Sequence, residues 1–142
     1  MLKKIIAAGL AAGVIFSSLS VTAEAAAMEK TEKVVQTAGR NALGTFAPDF
    51  AHYNDDVLFG ENWNNQDIDL KTRSIITVVS LMSMGITDSS LKYHLTNAKN
   101  HGVTQKEIAA IITHVSFYAG WPKAWAVFNL AKEVWAEDSA QK

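Results

Sequence analysis

The chain has 142 residues, a formal net charge of −1 and no cysteine. The absence of thiols excludes disulfide bonds and any chemistry that needs a cysteine nucleophile or a cysteine redox pair. Charges of both signs are mixed along the sequence, without a basic run or a basic–aromatic alternation, which argues against nucleic-acid binding.

The first 25 residues have the three-part pattern of a secretory signal peptide. Two lysines precede an apolar run at 5–16, and small residues around Ala25 and Ala27 follow it. The apolar run is shorter than the ~20 residues that a membrane-spanning helix needs. We therefore expect cleavage after Ala25 or Ala27, a periplasmic or secreted protein without a stable membrane anchor, and one mature domain over 26–142. The alternative is an uncleaved amphipathic anchor.

The first half of the mature domain is expected to contain three helices. Residues 29–39 and 48–60 have helical patterns, and a polar loop over 62–69, interrupted by Trp63, leads to the next helix. The third helix, over 70–84, is apolar nearly all round, which is typical of a helix buried at the centre of a domain or covered by another subunit. Because so small a domain buries a modest fraction of its surface, we expect a homo-oligomer.

Local end signals indicate three further helices. Asp88 can cap a helix that ends near Gly102. Thr104 and Glu107 have the spacing of a capping box, after which apolar residues follow at helical period. Pro122 suits the first turn of the last helix, because proline has no amide proton to lose there. The sequence therefore predicts an all-α protein with about six helices in one compact domain.

An ordered series of short motifs covers nearly all of the chain after the leader. The motifs are APDF at 47–50, LFGENW at 58–63, LKTRSII at 70–76, HLTNA at 94–98, GVTQKEI at 102–108, TH at 113–114, FYAGWP at 117–122 and AKEV at 131–134. In order and spacing this series resembles the carboxymuconolactone decarboxylase-like, or alkylhydroperoxidase D-like, proteins. The resemblance implies their all-α fold and an assembly of three or six copies.

Two positions depart from the pattern of that family. Its peroxidase branch uses a Cys-x-x-Cys pair just before the motif histidine, where this chain has Thr-Asp-Ser-Ser at 87–90. Thiol-based peroxide reduction is therefore excluded. Many members have a glutamate after the Lys-Thr-Arg motif, where this chain has Ser74. An acid–base role must then fall to other residues.

His94 is the first candidate for catalysis. It matches the motif histidine of the family and lies on the apolar face of its predicted helix. An imidazole titrates near neutral pH, so it can act as a general acid–base. The alternative is a core or interface histidine whose nitrogens are satisfied by the backbone. His114, on the next helix, is a second catalytic candidate expected to line the same pocket, whereas His52 and His101 are expected at the surface or at helix ends.

Arg73 and Glu61 are catalytic candidates for the polar end of that pocket. Arg73 lies at the start of the helix over 70–84, where its guanidinium can hold a substrate carboxylate in a bidentate fork. The alternative is a structural ion pair with Glu61 or Asp69. Glu61 is in turn a candidate replacement for the carboxylate that is missing at position 74.

Trp63, Tyr118 and Trp121 are candidates for apolar, substrate-binding walls. The alternative for each is a place in the core or in a subunit contact. The four histidines lack metal-ligand spacing such as His-Glu-x-x-His, and the chain has no thiol, so we predict no metal site. No phosphate-binding loop or haem-attachment motif is present either, and no cofactor is expected.

These features together predict an exported, oligomeric enzyme that resembles carboxymuconolactone decarboxylases. Its expected chemistry is cofactor-free loss of carbon dioxide, or proton transfer, on a small carboxylated lactone or keto acid. Arg73 would orient the carboxylate, apolar walls would desolvate it, and His94 would protonate the resulting dienolate carbon. Two alternatives stay open: a thiol-independent oxidoreductase of the same fold, and a non-enzymatic periplasmic protein that binds a small molecule.

Overall fold

The structure of the protein is a computed structural model that describes residues 33–136. The predicted signal peptide and its cleavage sites lie outside the described residues. Across 33–136 every regular element is helical and no strand occurs, which confirms the all-α prediction. None of the described helices combines the length and the apolar character needed to cross a membrane.

The described part of the chain forms six successive helices, one of which changes type along its length. They are α1 (Ala38–Leu43), α2 (Pro48–His52) continuing directly into a π-helical segment (Tyr53–Asn62), α3 (Leu70–Met84), α4 (Ser89–Asn100), α5 (Gln105–Ala119) and α6 (Trp121–Ala136). The number of helices agrees with the prediction. The π-helical segment was not predicted, because a wider helix has no distinct hydrophobic period over so short a stretch.

The predicted end signals are found where the sequence indicates them. The Asp88 carboxylate accepts a hydrogen bond from a backbone N–H in the first turn of α4. Thr104 and Glu107 make both bonds of the capping box at the start of α5. Gly102 has a φ of +86°, in the left-handed region that ends a helix at low cost for glycine alone. Pro122 lies in the first turn of α6.

The helix predicted over 29–39 is found only in part within the described residues. Residues 33–37 are not helical and α1 begins at Ala38, whereas positions 29–32 lie outside the described residues. The Asp55 carboxylate, from the π-helical segment, accepts hydrogen bonds of 2.9 Å from the backbone N–H groups of Gly39 and Arg40. A carboxylate satisfies the first amides of a helix well. Here it comes from a distant part of the chain, so local periodicity did not reveal it.

The core lies where α3 to α6 pack together. Its buried side chains are mainly aliphatic: Val78, Met82, Leu91, Leu95, Ala98, Val103, Ile108, Ile112, Ala124, Val127, Ala131 and Val134. Helix α3, apolar nearly all round, was predicted to be the central buried helix or to be covered by another subunit, and only one of its faces is buried within a single copy. Ile76 and Met84 on its other side are 50% and 65% exposed. The remaining explanation for its apolar character, cover by another subunit, stays a prediction.

Candidate functional site

A pocket of about 360 Å³ lies between the start of α4 and the N-terminal elements. Its lining residues are Gln36, Ala38, Asn54, Phe59, Ser89, Ser90, Tyr93 and His94. A larger cavity, of about 430 Å³, lies between α5 and α6, but it contains no histidine and no other group suited to proton transfer near neutral pH. A third cavity, of about 380 Å³, contains His52, but that imidazole is already hydrogen-bonded to the Asp56 carboxylate. The pocket with His94 is therefore the candidate active site.

The first turns of α4 bring four side chains to this pocket. The Asp88 cap begins the helix at Ser89, so Ser89 and Ser90 lie at its N-terminus. Tyr93 and His94 follow four residues later and therefore lie on the same side of the helix, one turn further on. The local sequence thus places two hydroxyls, a phenol and an imidazole on one surface.

The His94 imidazole is half-buried, and its Nδ1 atom is enclosed by protein without a hydrogen-bond partner. The indole of Trp63 lies nearly parallel to this ring, with centroids 6.2 Å apart, and Tyr93 meets it edge-on at 5.1 Å. Burial lowers the pKa of His94 below its ordinary value, which favours the neutral imidazole at neutral pH. Among the described residues, no carboxylate contacts His94.

The rest of the pocket lining is uncharged. The Gln36 amide donates a hydrogen bond of 2.9 Å to the Tyr93 hydroxyl, which leaves the hydroxyl proton of Tyr93 available to a ligand. Ser89 and Ser90 add two further hydroxyl groups. No lysine, arginine, aspartate or glutamate side chain lines the pocket. Chemically, the site offers one imidazole, three hydroxyl groups and two carboxamides beside apolar surface.

Trp63 lies behind His94 and does not line the pocket, although it was predicted as a substrate-binding wall. It follows the π-helical segment directly, and its backbone N–H donates to the Leu58 carbonyl at 2.9 Å, five residues back. Its side chain is only 4% exposed and stacks on Phe59 with centroids 5.6 Å apart. The π-helical segment therefore delivers both a pocket wall, Phe59, and the indole that supports His94.

His101 belongs to the same neighbourhood, which the sequence did not indicate. It caps the C-terminus of α4 as expected, but it is half-buried rather than at the surface. Its Nδ1 lies 2.7 Å from the Ser74 hydroxyl, and its ring centroid is 6.2 Å from that of Trp63. Burial lowers the pKa of His101. The one sequence feature that pointed to this contact was Ser74 itself, which stands where many family members have glutamate.

Arg73 and Glu61 do not line the pocket in the described chain. The Arg73 guanidinium donates to the Asn65 carbonyl at 2.8 Å and, at 3.4 Å, to the Asn62 side chain and the Ile68 carbonyl. The predicted alternative, an ion pair with Glu61 or Asp69, is therefore also not formed. Arg73 instead holds the loop that follows the π-helical segment, and Glu61 is exposed.

His114, Tyr118 and Trp121 lie on an outer face of α5 and α6, away from the lining of the His94 pocket. The His114 ring is 5.2 Å from that of Tyr118, and Tyr118 is 81% exposed. The reason is helical geometry: α5 buries Ile112, and a residue two positions later points about 200° away. A single copy therefore does not bring His114 to His94.

No group of three or more His, Cys, Asp or Glu side chains suited to a metal ion occurs within residues 33–136. The His94 pocket has one imidazole and no carboxylate among its lining residues. Its donor set is therefore suited to a small organic molecule that is bound through hydrogen bonds and apolar contact.

Comparison with known proteins places these residues in a family context. Residues 48–133 match the model of the carboxymuconolactone decarboxylase family. Over 95 residues the chain is 35% identical to 4-carboxymuconolactone decarboxylase from Acinetobacter baylyi, which covers 67% of this chain and 70% of that relative. Over 87 residues it is 28% identical to an uncharacterized 15.0 kDa protein in the nqo9–nqo10 intergenic region of Paracoccus denitrificans, covering 61% of this chain and 65% of that relative.

Proposed function

Because the chain belongs to the carboxymuconolactone decarboxylase family, we propose that it removes carbon dioxide from a small carboxylated lactone or keto acid, with His94 as the proton carrier. The observation that carries this proposal is the unpartnered His94 imidazole at the wall of a pocket with no other ionisable group except the Tyr93 phenol. The 4-carboxymuconolactone decarboxylase relative supports the reaction class.

The absence of a cation from the pocket lining suits the breaking of a carbon–carboxylate bond. A lysine or arginine beside the carboxylate would stabilise the ground state, whose charge is concentrated, more than the transition state, whose charge is dispersed. Ala38 and Phe59 provide apolar surface for the carboxylate. The hydroxyls of Ser89, Ser90 and Tyr93 can donate hydrogen bonds to a carbonyl oxygen where negative charge develops.

The proton balance assigns the role of His94. When the bond to the carboxylate breaks, its electron pair moves into the lactone or keto group as an enolate, and a proton must then be added to carbon. An anionic substrate favours the imidazolium form of a neighbouring histidine. Substrate binding thus counteracts the desolvation that lowers the pKa of His94 and draws in a proton from water. The imidazolium donates that proton to the carbon, and His94 returns to its neutral form.

A second candidate function is proton transfer without loss of carbon dioxide. It is favoured by the lowered pKa of His94, because a neutral imidazole is ready to act as a base. The same pocket would then remove a proton next to a carbonyl group and return it to another carbon. A thiol-independent oxidoreductase and a non-enzymatic binding protein also remain compatible with the fold, but no specific contact favours either.

The proposal includes assembly into a trimer or hexamer. Several large side chains on α5 and α6 are exposed in a single copy, among them Phe117, Tyr118 and Trp125. Apolar surface of this kind is typical of subunit contacts. Helix α3, with its exposed Ile76 and Met84, provides a second apolar surface.

The proposal also includes export, which rests on the N-terminal sequence pattern alone. Intact-mass analysis of the protein from its native compartment should find a chain that begins at Ala26 or Met28. Retention of Met1 in that protein would contradict both the export and the predicted cleavage.

The experiment that tests the function is a screen of the purified protein against small carboxylated lactones and keto acids in heavy water. Release of carbon dioxide together with deuterium incorporation, both lost in His94→Gln, is the expected result. Deuterium exchange without carbon dioxide would instead select the proton-transfer candidate. Saturable binding with neither product would contradict an enzymatic role and select the binding protein.

A further inference from the structure

Two imidazoles flank a single buried indole. The ring centroids of His94 and His101 each lie 6.2 Å from that of Trp63, with interplanar angles of 20° and 43°. His94 is on the wall of the pocket, whereas His101 lies outside its lining. Trp63 is almost fully buried and is in ring contact with both imidazoles.

The Ser74 hydroxyl fixes the ring of His101. Ser74 Oγ lies 2.7 Å from the Leu70 carbonyl oxygen and 2.7 Å from His101 Nδ1. A hydroxyl carries one proton, and the carbonyl can only accept a hydrogen bond. Both bonds are therefore satisfied only when Ser74 donates to Leu70 and accepts from His101. This arrangement selects the neutral tautomer of His101 that carries its proton on Nδ1.

The bond between Ser74 and His101 joins α3 to the end of α4, and the His101 ring in turn contacts Trp63. Ser74 is buried on α3, His101 ends α4, and Trp63 follows the π-helical segment. The loop between the π-helical segment and α3 is held separately by Arg73, which donates to the Asn65 carbonyl. The backbone N–H of Trp63 donates to the Leu58 carbonyl at the end of the π-helical segment, and its ring contacts both imidazoles.

We propose that His101, held by Ser74, is a positioning residue for His94: it keeps the Trp63 indole parallel to the imidazole that carries the proton. Among the described residues, the ring contacts of His94 are with Tyr93 and Trp63, and Trp63 also contacts His101.

The catalytic part of this inference rests on the proposed function, whereas the structural part does not. The test compares Ser74→Ala with Ser80→Ala. Both serines are on α3 and both donate to the carbonyl four residues back, at 2.7 Å and 2.8 Å, but Ser80 is exposed. The control variant therefore removes an equivalent helix-internal bond without affecting the contact with His101.

Nuclear magnetic resonance gives a readout that needs no substrate. In the wild-type protein we expect the imidazole nitrogen shifts of His101 to show an Nδ1–H tautomer, and we expect a nuclear Overhauser effect between the rings of Trp63 and His94. Ser74→Ala should remove the tautomer preference, weaken the Trp63–His94 effect and move the pKa of His94 toward its ordinary value as water reaches the ring. Ser80→Ala should change none of these.

Kinetics then provide a second readout. If the protein decarboxylates its substrate, Ser74→Ala should lower kcat on the order of tenfold to a hundredfold with KM nearly unchanged, as expected for a misaligned proton carrier. In His101→Gln the amide can still bond to Ser74. This variant should therefore keep a stronger Trp63–His94 nuclear Overhauser effect and a higher kcat than His101→Ala. An unchanged Trp63–His94 contact and His94 pKa in both Ser74→Ala and His101→Ala would overturn the inference. An inactive wild-type protein that shows the expected resonance changes would overturn only the proposed function.

Discussion

The indole of Trp63 lies nearly parallel to the His94 imidazole, with ring centroids 6.2 Å apart and planes inclined by 20°. Because His94 Nδ1 is enclosed by protein, proton transfer to or from a substrate must occur at the other ring nitrogen, Nε2. The arrangement accounts for a half-buried imidazole whose protonation is disfavoured by burial and is not compensated by a carboxylate. It also makes the protonation state of His94 depend on what enters the pocket.

Replacing His94 by glutamine should lower carbon dioxide release by about 10²- to 10⁴-fold, the usual contribution of a general acid–base. The melting temperature should change little, because His94 Nδ1 has no hydrogen-bond partner to lose. Turnover and thermal unfolding of the purified variant test this directly. His114→Gln is the matched control, since His114 is exposed and outside the pocket lining. A comparable loss in the control would show that His114 reaches the pocket of a neighbouring copy.

The pH dependence of kcat/KM should distinguish the two candidate reactions. If His94 acts as an acid in decarboxylation, kcat/KM should be highest at low pH and fall as pH rises through the His94 pKa, which burial places below its ordinary 6.5. If the neutral ring acts as a base, kcat/KM should rise through the same pKa. The profile of the free enzyme reports this group in either case. A flat profile between pH 5 and 8 would exclude the acid role, because kcat/KM would then not fall above the His94 pKa.

Glu107 should stabilise the fold at neutral pH and lose this effect in acid. The Lys71 ammonium donates to its carboxylate, as do the Thr104 backbone and hydroxyl, and together they lower the pKa of Glu107 from 4.5 to about 2. A lowered folded-state pKa contributes stability above pH 4.5 that disappears as pH falls toward 2. The difference in melting temperature between wild type and Glu107→Gln should therefore narrow across this window.

The control for that experiment is Glu133→Gln, which removes an exposed ion pair with Lys92. Exposed pairs contribute little, so its melting temperature should stay close to that of the wild type at all pH values. If the melting temperatures of wild type and Glu107→Gln differed by the same amount from pH 7 to pH 2, the lowered pKa of Glu107 would be contradicted.

Gly39 should not tolerate a side chain. A Cβ atom at this position would lie 2.7 Å from Asp55 Oδ1 and 3.1 Å from the Ala51 backbone. Gly39→Ala should therefore destabilise the protein by about 1–3 kcal/mol, as overpacked sites do. Chemical denaturation measures this, with Gly60→Ala as the control, because there the nearest atom would be 3.3 Å away. Equal effects of the two substitutions would contradict the close approach of α1 to Asp55.

The purified protein should be a trimer or hexamer in light scattering at micromolar concentration. Trp125→Ser should shift it to smaller species, because Trp125 is 69% exposed in one copy and lies on the aromatic outer face of α6. Lys132→Ser, on an exposed position of the same helix, is the control and should leave the mass unchanged. A stable wild-type monomer would contradict the proposed assembly.

The sequence predicted those parts of the fold that depend on neighbouring residues. The caps at Asp88 and Thr104, the glycine at 102 and the proline at 122 each act within a few residues, so a single sequence shows them. The start of α1 was missed because Asp55, 16 residues after Gly39, supplies the cap. Of the two explanations for the apolar α3, burial on all sides within one copy is not found, because composition alone does not show which face packs against the core.

The candidate site could be predicted only in part for the same reason. His94 and the serines before it share one helix, and their proximity follows from the spacing. The bond between Ser74 and His101 joins residues 27 apart and arises only when α3 packs on α4. No local pattern distinguishes such a serine from any other polar residue on a helix.

The π-helical segment also makes the length of the chain before Trp63 a determinant of the site. If one residue between Tyr53 and Asn62 were deleted while the segment kept its π-helical type, Trp63 would rotate about the helix axis relative to the residues before the deletion. The indole would then no longer face His94, although every residue proposed to act on a substrate would still be present. A single-codon deletion of this kind would therefore remove the alignment on which the acid–base depends.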